Sequence, residues 1–277
     1  MQILCSIPEM QAVNYPAGSK VGFVPTMGYL HEGHLSLVDA AVKSSDLVVV
    51  SIFVNPAQFA PSEDLDSYPR DFDRDLALLE KRKVDYVFFP TADEMYPPGY
   101  KTWVEVEGIS HILCGNTRPE HFKGVSTVVL KLLNIVRPQS MYMGEKDFQQ
   151  LTVLQRMTQD LNLGVDIIGC PIIREEDGLA KSSRNLYLKG KEREQATCLY
   201  KALTNSQKLV AAGELAAEKI IAAAEQLILD SLVKVDYIKI VDGRDLSEVQ
   251  DIDEHSRMLI AAWVGKPRLI DNMSLKA

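Results

Sequence analysis

Cysteine is scarce in this chain. Cys5, Cys114, Cys170 and Cys198 are the four among 277 residues, and no two stand at the short spacing of a metal knuckle or a dithiol redox motif. That excludes a disulfide scaffold and a zinc module, and it reads as reduced, mostly buried thiols in a cytoplasmic protein. A basic excess is also missing: 30 Lys and Arg stand against 38 Asp and Glu, a formal net charge of -8. Non-specific binding of nucleic acid needs a surplus of cations, so no nucleic-acid partner is expected. Small anionic substrates stay open, because local basic groups decide that question. No apolar run approaches the roughly 20 residues that span a bilayer. The densest, 47–54, reads as a strand buried on both faces, so no membrane partner is expected. Residues 1–10 show no basic segment leading into an apolar one, and no export signal is expected there.

What remains is ordinary globular material, 46% hydrophobic and 25% charged, enough for a large core and about two domains. Short apolar runs at 21–24, 47–54, 84–89, 140–143 and 165–168 read as strands. Between them, 35–42, 71–83, 125–135 and 148–161 carry apolar residues at helical spacing. This βαβα rhythm predicts an α/β fold, a parallel sheet with helices on both faces. After Pro171 the texture changes to two long helical patterns, 192–211 and 216–232, and two alternating strands, 235–241 and 258–264. The expected organisation is a first domain over 1–172 and a smaller α+β domain over 173–277.

Four stretches carry candidate chemistry. Pro25-Thr26-Met27-Gly28-Tyr29-Leu30-His31-Glu32-Gly33-His34 lies between the first apolar strand and the first helix. Ligands of a parallel α/β sheet bind at the carboxyl ends of its strands, so a site is expected here. A helix N-terminus offers unpaired N–H groups and positive partial charge, which suit a phosphate. His31 and His34 would share a face if they open the helix. Gly28 and Gly33 would let a ligand approach the backbone. The loop lacks the lysine of a P-loop. Gly144-Glu145-Lys146-Asp147 again puts a glycine and polar residues at a strand end, with Gln149 and Gln150 opening the next helix. Lys146 could neutralise phosphate oxygens as a point charge. Lys181-Ser182-Ser183-Arg184 places two cations around two hydroxyls, a clamp suited to a triphosphate, although a solvated loop has the same composition. Asn55-Pro56-Ala57-Gln58-Phe59 sets two carboxamides beside an aromatic ring, which could orient a small polar substrate with an apolar part.

In this order, Pro25-Thr26-Met27-Gly28, His31-x-Gly33-His34, Phe53-Val54-Asn55-Pro56-x-Gln58-Phe59, Tyr68-Pro69-Arg70, Arg118-Pro119-x-His121-Phe122-x-Gly124-Val125, Gly144-Glu145-Lys146-Asp147-x-Gln149-Gln150 and Ser182-Ser183-Arg184-Asn185 resemble the pantothenate synthetase (pantoate–β-alanine ligase) family over nearly the whole chain. The His-x-Gly-His signature alone would mark only the wider nucleotidyl-transferase superfamily. The resemblance implies a Rossmann-like first domain, with the second domain as a lid. It implies condensation of ATP, (R)-pantoate and β-alanine to pantothenate, AMP and pyrophosphate through a pantoyl adenylate. By the same resemblance, residues 27–34, 144–147, Ile173 and 181–184 bind ATP. His31, His34, Lys146, Ser182, Ser183 and Arg184 would stabilise the reacting phosphates, and Gln58 and Gln150 would hold pantoate, Gln58 also lying near β-alanine. A magnesium ion accompanies ATP, with no protein ligands assigned, and a homodimer is implied. One departure is Lys181, where the family usually has methionine. Two other readings stay open: a nucleotidyltransferase of the same superfamily acting on another small acid or a phosphate, and a nucleotide-binding module without catalysis.

Overall fold

The β-branched and aliphatic runs of the first half become parallel strands, buried because helices cover both of their faces. The structure is a computed structural model that describes every residue except Pro61, Ser62, Asp64 and Ala277. The described residues group into two compact units, Met1–Glu145 with Gln149–Pro171, and Lys146–Phe148 with Ile172–Ala277.

In the first unit the strands are β1 (Gln2–Leu4), β2 (Val21–Thr26), β3 (Leu47–Ile52), β4 (Tyr86–Phe88), β5 (Ser140–Gly144) and β6 (Asp166–Cys170). The helices are α1 (Ile7–Gln11), α2 (Glu32–Ser44), α3 (Phe72–Glu80), α4 (Ala92–Met95), α5 (Cys114–Thr117), α6 (His121–Val136) and α7 (Phe148–Asp160). Among the described residues the strands form one six-stranded sheet in the order β1-β4-β3-β2-β5-β6, and every neighbouring pair is parallel. Val24, Val50, Val87 and Tyr142 pack on one face with Leu35, Val38 and Ala41 of α2 and Leu79 of α3. The alternate positions Phe23, Val49 and Met141 are buried as well. On that side Gly169 of β6 approaches Leu151 of α7 so closely that a Cβ would lie 2.9 Å from its Cδ2. Chain order runs outward from β2 through β3 to β4 in one direction and from β5 to β6 in the other. The topological switch point therefore falls at the carboxyl ends of β2 and β5.

In the second unit α8 (Lys191–Ala196), α9 (Cys198–Ala211) and α10 (Ala217–Asp230) precede an antiparallel sheet of β7 (Lys234–Asp242), β8 (Ser256–Trp263) and β9 (Arg268–Ser274). Leu199, Ala202 and Leu203 of α9 and Ile220, Ala224 and Ile228 of α10 pack against Ile238, Ile240, Met258 and Ile260 of the sheet. The apolar stripes at i, i+3 and i+4 that predicted these helices are what they bury. Buried among them is an ion pair: Arg174 donates to both carboxylate oxygens of Asp271, at 2.6 and 2.9 Å. Asp271 is 3% exposed. Burial raises its carboxyl above the ordinary value, and Arg174 opposes that shift.

Several details depart from the sequence reading. The single helix expected over 192–211 is two, α8 and α9, meeting at Thr197, whose hydroxyl donates to Glu194 O at 2.7 Å. β1, α1 and β9 were not expected. Lys146–Phe148, expected with the first domain, groups with the second unit. The four cysteines are free thiols, three buried and Cys5 exposed.

Arg174→Met should leave the Asp271 carboxylate buried without its partner and lower stability by about 3–5 kcal/mol at neutral pH. Losing the guanidinium raises the folded-state pKa further. The folded chain then holds a proton that the unfolded chain has already released, so stability falls as pH rises through that window. Urea unfolding at several pH values should show the variant's deficit largest near neutrality and shrinking as pH falls through the carboxylate range.

Candidate active site

The turn that leaves β2 is built by a charge taken out of water. Asp75 on α3 is 1% exposed and accepts hydrogen bonds from Tyr29 N at 2.6 Å and Leu30 N at 2.8 Å. Burial raises its carboxyl above the usual Asp value, with the two N–H groups and Arg74 pulling the other way. Thr26 adds a second tie: its hydroxyl donates to Ser51 O at 2.8 Å and accepts from Gly28 N at 3.2 Å. Gly28 has φ +82° and stands so close to Ile52 and Asp75 that a Cβ would lie 3.0 and 3.2 Å from them. Position 28 therefore requires glycine on both conformational and steric grounds. Tyr29 follows at φ +51°, and the fully buried Leu30 then plugs the core.

Helix α2 begins at Glu32, three residues earlier than its apolar pattern, so His31 is the N-cap and His34 the third helical residue. The two histidines form a capping box. His31 Nδ1 accepts from Gly33 N at 3.1 Å and His34 Nδ1 accepts from His31 N at 3.4 Å. Their rings stack with centroids 4.0 Å apart. Because each Nδ1 accepts, each neutral ring carries its proton on Nε2. The motif thus presents two Nε2–H donors at a helix N-terminus, where backbone polarity already favours an anion.

A second cluster lies in the same unit. Asn55 is buried and caps the turn Pro56–Gln58 by accepting from Ala57 N at 3.3 Å. Its amide donates to Gln58 Oε1 and to Gly124 O, both at 3.1 Å. Gln58 Nε2 in turn donates to Met27 Sδ at 3.1 Å, which brings two sequence-predicted residues together. The Gln58 carbonyl accepts from Arg118 Nη2 at 3.2 Å and lies 3.0 Å from His121 Nδ1. Arg118 forks onto Glu63. Burial opposes ionisation of Glu63, but the hydrogen bonds from Arg118 and Ala60 outweigh it and hold its carboxyl below the usual range. On the helix side, a Cβ at Gly124 would stand 2.2 Å from Ala57 O, so α6 meets this turn backbone to backbone.

At the end of β5, Gly144 leads into the turn Glu145–Asp147 that holds Lys146. Gln149 is buried and structural. Its amide donates to Ile109 O and Ile112 O at 2.8 and 2.7 Å and accepts from Cys114 N at 3.0 Å. Gln150, the neighbour expected to bind substrate, is half-buried.

In the second unit a tight hairpin places Ile173 beside Lys181, whose N–H donates to Ile173 O at 2.9 Å. Ser182 caps the turn Ser183–Tyr187, accepting from Arg184 N at 3.3 Å. Asn185 ties that turn back through Glu175 at 2.9 Å and Ala180 O at 3.1 Å. The site residues thus fall into local sets: Met27 with Gln58, His31 with His34, and Ile173 with 181–184. The sequence reading missed Asp75, Asn55, Arg118 and His121 as supports of these sets. The Asn55 and Arg118 motifs were in view, but an Asp in a charged helix gives no sign that it is buried. Among the described residues no three His, Cys, Asp or Glu side chains gather as a metal site, and no helix is long and apolar enough to cross a membrane.

The whole chain is similar to known proteins of one family. The sequence model of a family described as pantoate-beta-alanine ligase matches residues 2–274. A pantothenate synthetase of Thermotoga petrophila is 53% identical over 282 aligned positions, covering 99% of this chain and all of that protein. One from Caldicellulosiruptor bescii is 51% identical, with both chains fully covered. The crystal structure of pantothenate synthetase from Thermus thermophilus superposes with a TM-score of 0.96 at 43% identity, covering both chains completely. That of pantoate-beta-alanine ligase from Francisella tularensis, complexed with beta-gamma ATP and beta-alanine, superposes at 0.83 with 36% identity over 99% of this chain and 98% of that one.

Asp75→Ala should strand two buried N–H groups and cost about 2–4 kcal/mol. Urea unfolding reads the loss, and amide exchange should speed up at Tyr29 and Leu30 before other positions in the sheet.

Proposed function

The chain belongs to the pantoate-beta-alanine ligase family and is an enzyme of that class, and we propose that it makes pantothenate, the amide of (R)-pantoate and β-alanine, in two steps driven by ATP. In the first, a pantoate carboxylate oxygen attacks the α-phosphorus. The new O–P bond replaces the bond to the β-phosphate bridge, and pyrophosphate leaves. In the second, the β-alanine amine attacks the acyl carbon, a C–N bond replaces the acyl–O bond, the amine loses a proton and AMP departs. The observation that carries this reading is the His31–His34 capping box, which opens α2 directly after β2 at the sheet's switch point.

Negative charge grows on the pyrophosphate as it leaves. Donors fixed before the reaction stabilise that charge more than the ground state and need no reorganisation. His31 and His34 serve as such donors and as partners of the ATP phosphates. Neutral imidazoles holding Nε2–H suit hydrogen-bond stabilisation and require no proton transfer to pyrophosphate. Lys146, Ser182, Ser183 and Arg184 add charge and hydroxyl donors for the same phosphates. Residues 27–34, 144–147, Ile173 and 181–184 make up the nucleotide contacts in this reading. Gln58 and Gln150 hold the hydroxyls of pantoate, with Gln58 also near β-alanine, and Met27 or Phe59 packs its gem-dimethyl group. The solved ligase complexed with ATP and β-alanine supports both as ligands here.

Magnesium fits as an ion carried on the triphosphate. It commonly takes phosphate oxygens and waters with few protein groups. When bound it would neutralise part of the phosphate charge. We further propose a cytoplasmic homodimer, which light scattering coupled to size exclusion would test.

The deciding assay supplies Mg-ATP and (R)-pantoate, with and without β-alanine, and follows AMP and pyrophosphate. AMP release should require all three substrates. His34→Ala should lower kcat by about 10²–10³-fold, the usual cost of one transition-state donor. Pyrophosphate release without any promotion of AMP release by β-alanine would show that the acceptor amine is another. Lys181→Met should raise the KM for ATP, as its place among the nucleotide contacts requires; an unchanged KM would make the extra cation a surface group.

A further inference from the structure

Asn272 is an uncommon residue for the middle of a strand, yet it is 2% exposed on β9. Every polar group it has is engaged in holding something. Its side-chain amide donates to Lys146 O at 3.0 Å. Its side-chain oxygen accepts from Arg257 Nη1 at 2.5 Å. Its N–H donates to Asp271 Oδ1 at 2.8 Å, and its carbonyl accepts from Arg174 Nη2 at 3.4 Å. Arg257 also lies over the Phe148 ring, 4.1 Å from its centroid. One buried amide thus joins the Arg174–Asp271 pair, Arg257 and the turn that bears Lys146.

We infer that Asn272 is a positioning residue for Lys146, fixing the backbone of the Glu145–Asp147 turn so that the ammonium meets the β- and γ-phosphates of ATP. This rests on the phosphate role given to Lys146 above. A lysine side chain has four soft torsions, so its charge is preorganised only if its backbone is held. The turn is a single three-residue helical turn that runs straight into α7, so a tie on Lys146 O fixes it from outside as well. The residue at 272 must donate to a carbonyl and accept from a guanidinium at once, from a buried position. Asparagine does both. Aspartate has no hydrogen for Lys146 O and would set a second buried charge beside Asp271. Alanine leaves Lys146 O and Arg257 without this partner.

The test is calorimetric titration with Mg-ATP and, separately, AMP, which has no β- or γ-phosphate. Asn272→Ala should weaken ATP about five- to twentyfold and leave AMP within about twofold. In a Lys146→Ala background it should add no further loss. Arg257→Met removes the guanidinium while keeping the stem, and should give the same pattern at smaller size, which covers the case that Asn272→Ala does not fold. Equal weakening of ATP and AMP, or an undiminished effect without Lys146, would mean a merely structural role and overturn the inference. If Lys146→Ala alone binds ATP as tightly as the native protein, the phosphate role of Lys146 fails, and the inference with it.

Discussion

A single buried carboxylate organises the first unit's site. Asp75 takes the N–H groups of Tyr29 and Leu30, and this capture turns the chain sharply out of β2. The glycine at 28, the left-handed Tyr29 and the buried Leu30 are all consequences of that turn. So is the placement of His31 as a cap. A charge held in the interior is costly unless its hydrogen bonds are met, and here they are met by the backbone that must be shaped. Helix α3, which carries Asp75, is thereby coupled to the start of α2.

The α/β architecture was legible because it rests on periodicity. Runs such as Val48-Val49-Val50 and stripes such as Leu35, Val38 and Ala41 announce their surroundings directly. What escaped was decided by partners distant in sequence. β9 contains Asp271 and Asn272, which locally signal a turn. They lie in a strand because Arg174, far off in the chain, neutralises Asp271, and Arg257 on the neighbouring strand β8 completes Asn272. β1 is three residues long and acquires strand character only from its pairing with β4. The start of α2 was displaced for a different reason. Residues 32–34 have no apolar pattern, and the cap that begins the helix is made of imidazoles, outside the usual capping vocabulary of Ser, Thr, Asp and Asn.

The candidate site divides the same way. Several residues that would meet a ligand, those of 27–34 and 144–147, stand in short, glycine-bearing motifs at strand ends, where topology places sites in advance. The residues that hold them are ordinary in sequence: an Asp in a charged helix, an Asn in a loop, a Gly inside α6 that is there because Ala57 and Gln58 pass over it. Such supports are recognised by what they touch, and contact is what a linear pattern omits.

The strand order also has a bearing on how the chain folds. The switch point lies where β2 and β5 run side by side, and this pairing joins Gly22 to Ser140, the longest chain separation between neighbours in the sheet. Contacts of such high sequence separation carry a loop-closure cost before they return any stability. During synthesis, the turn after β2 emerges early, yet its neighbouring strand is still unmade. Until β5 is made, the β2 edge has no partner, and an unpaired strand edge of this kind can pair with another chain. The candidate site at the ends of β2 and β5 is thus completed only once the chain through β5 has been made.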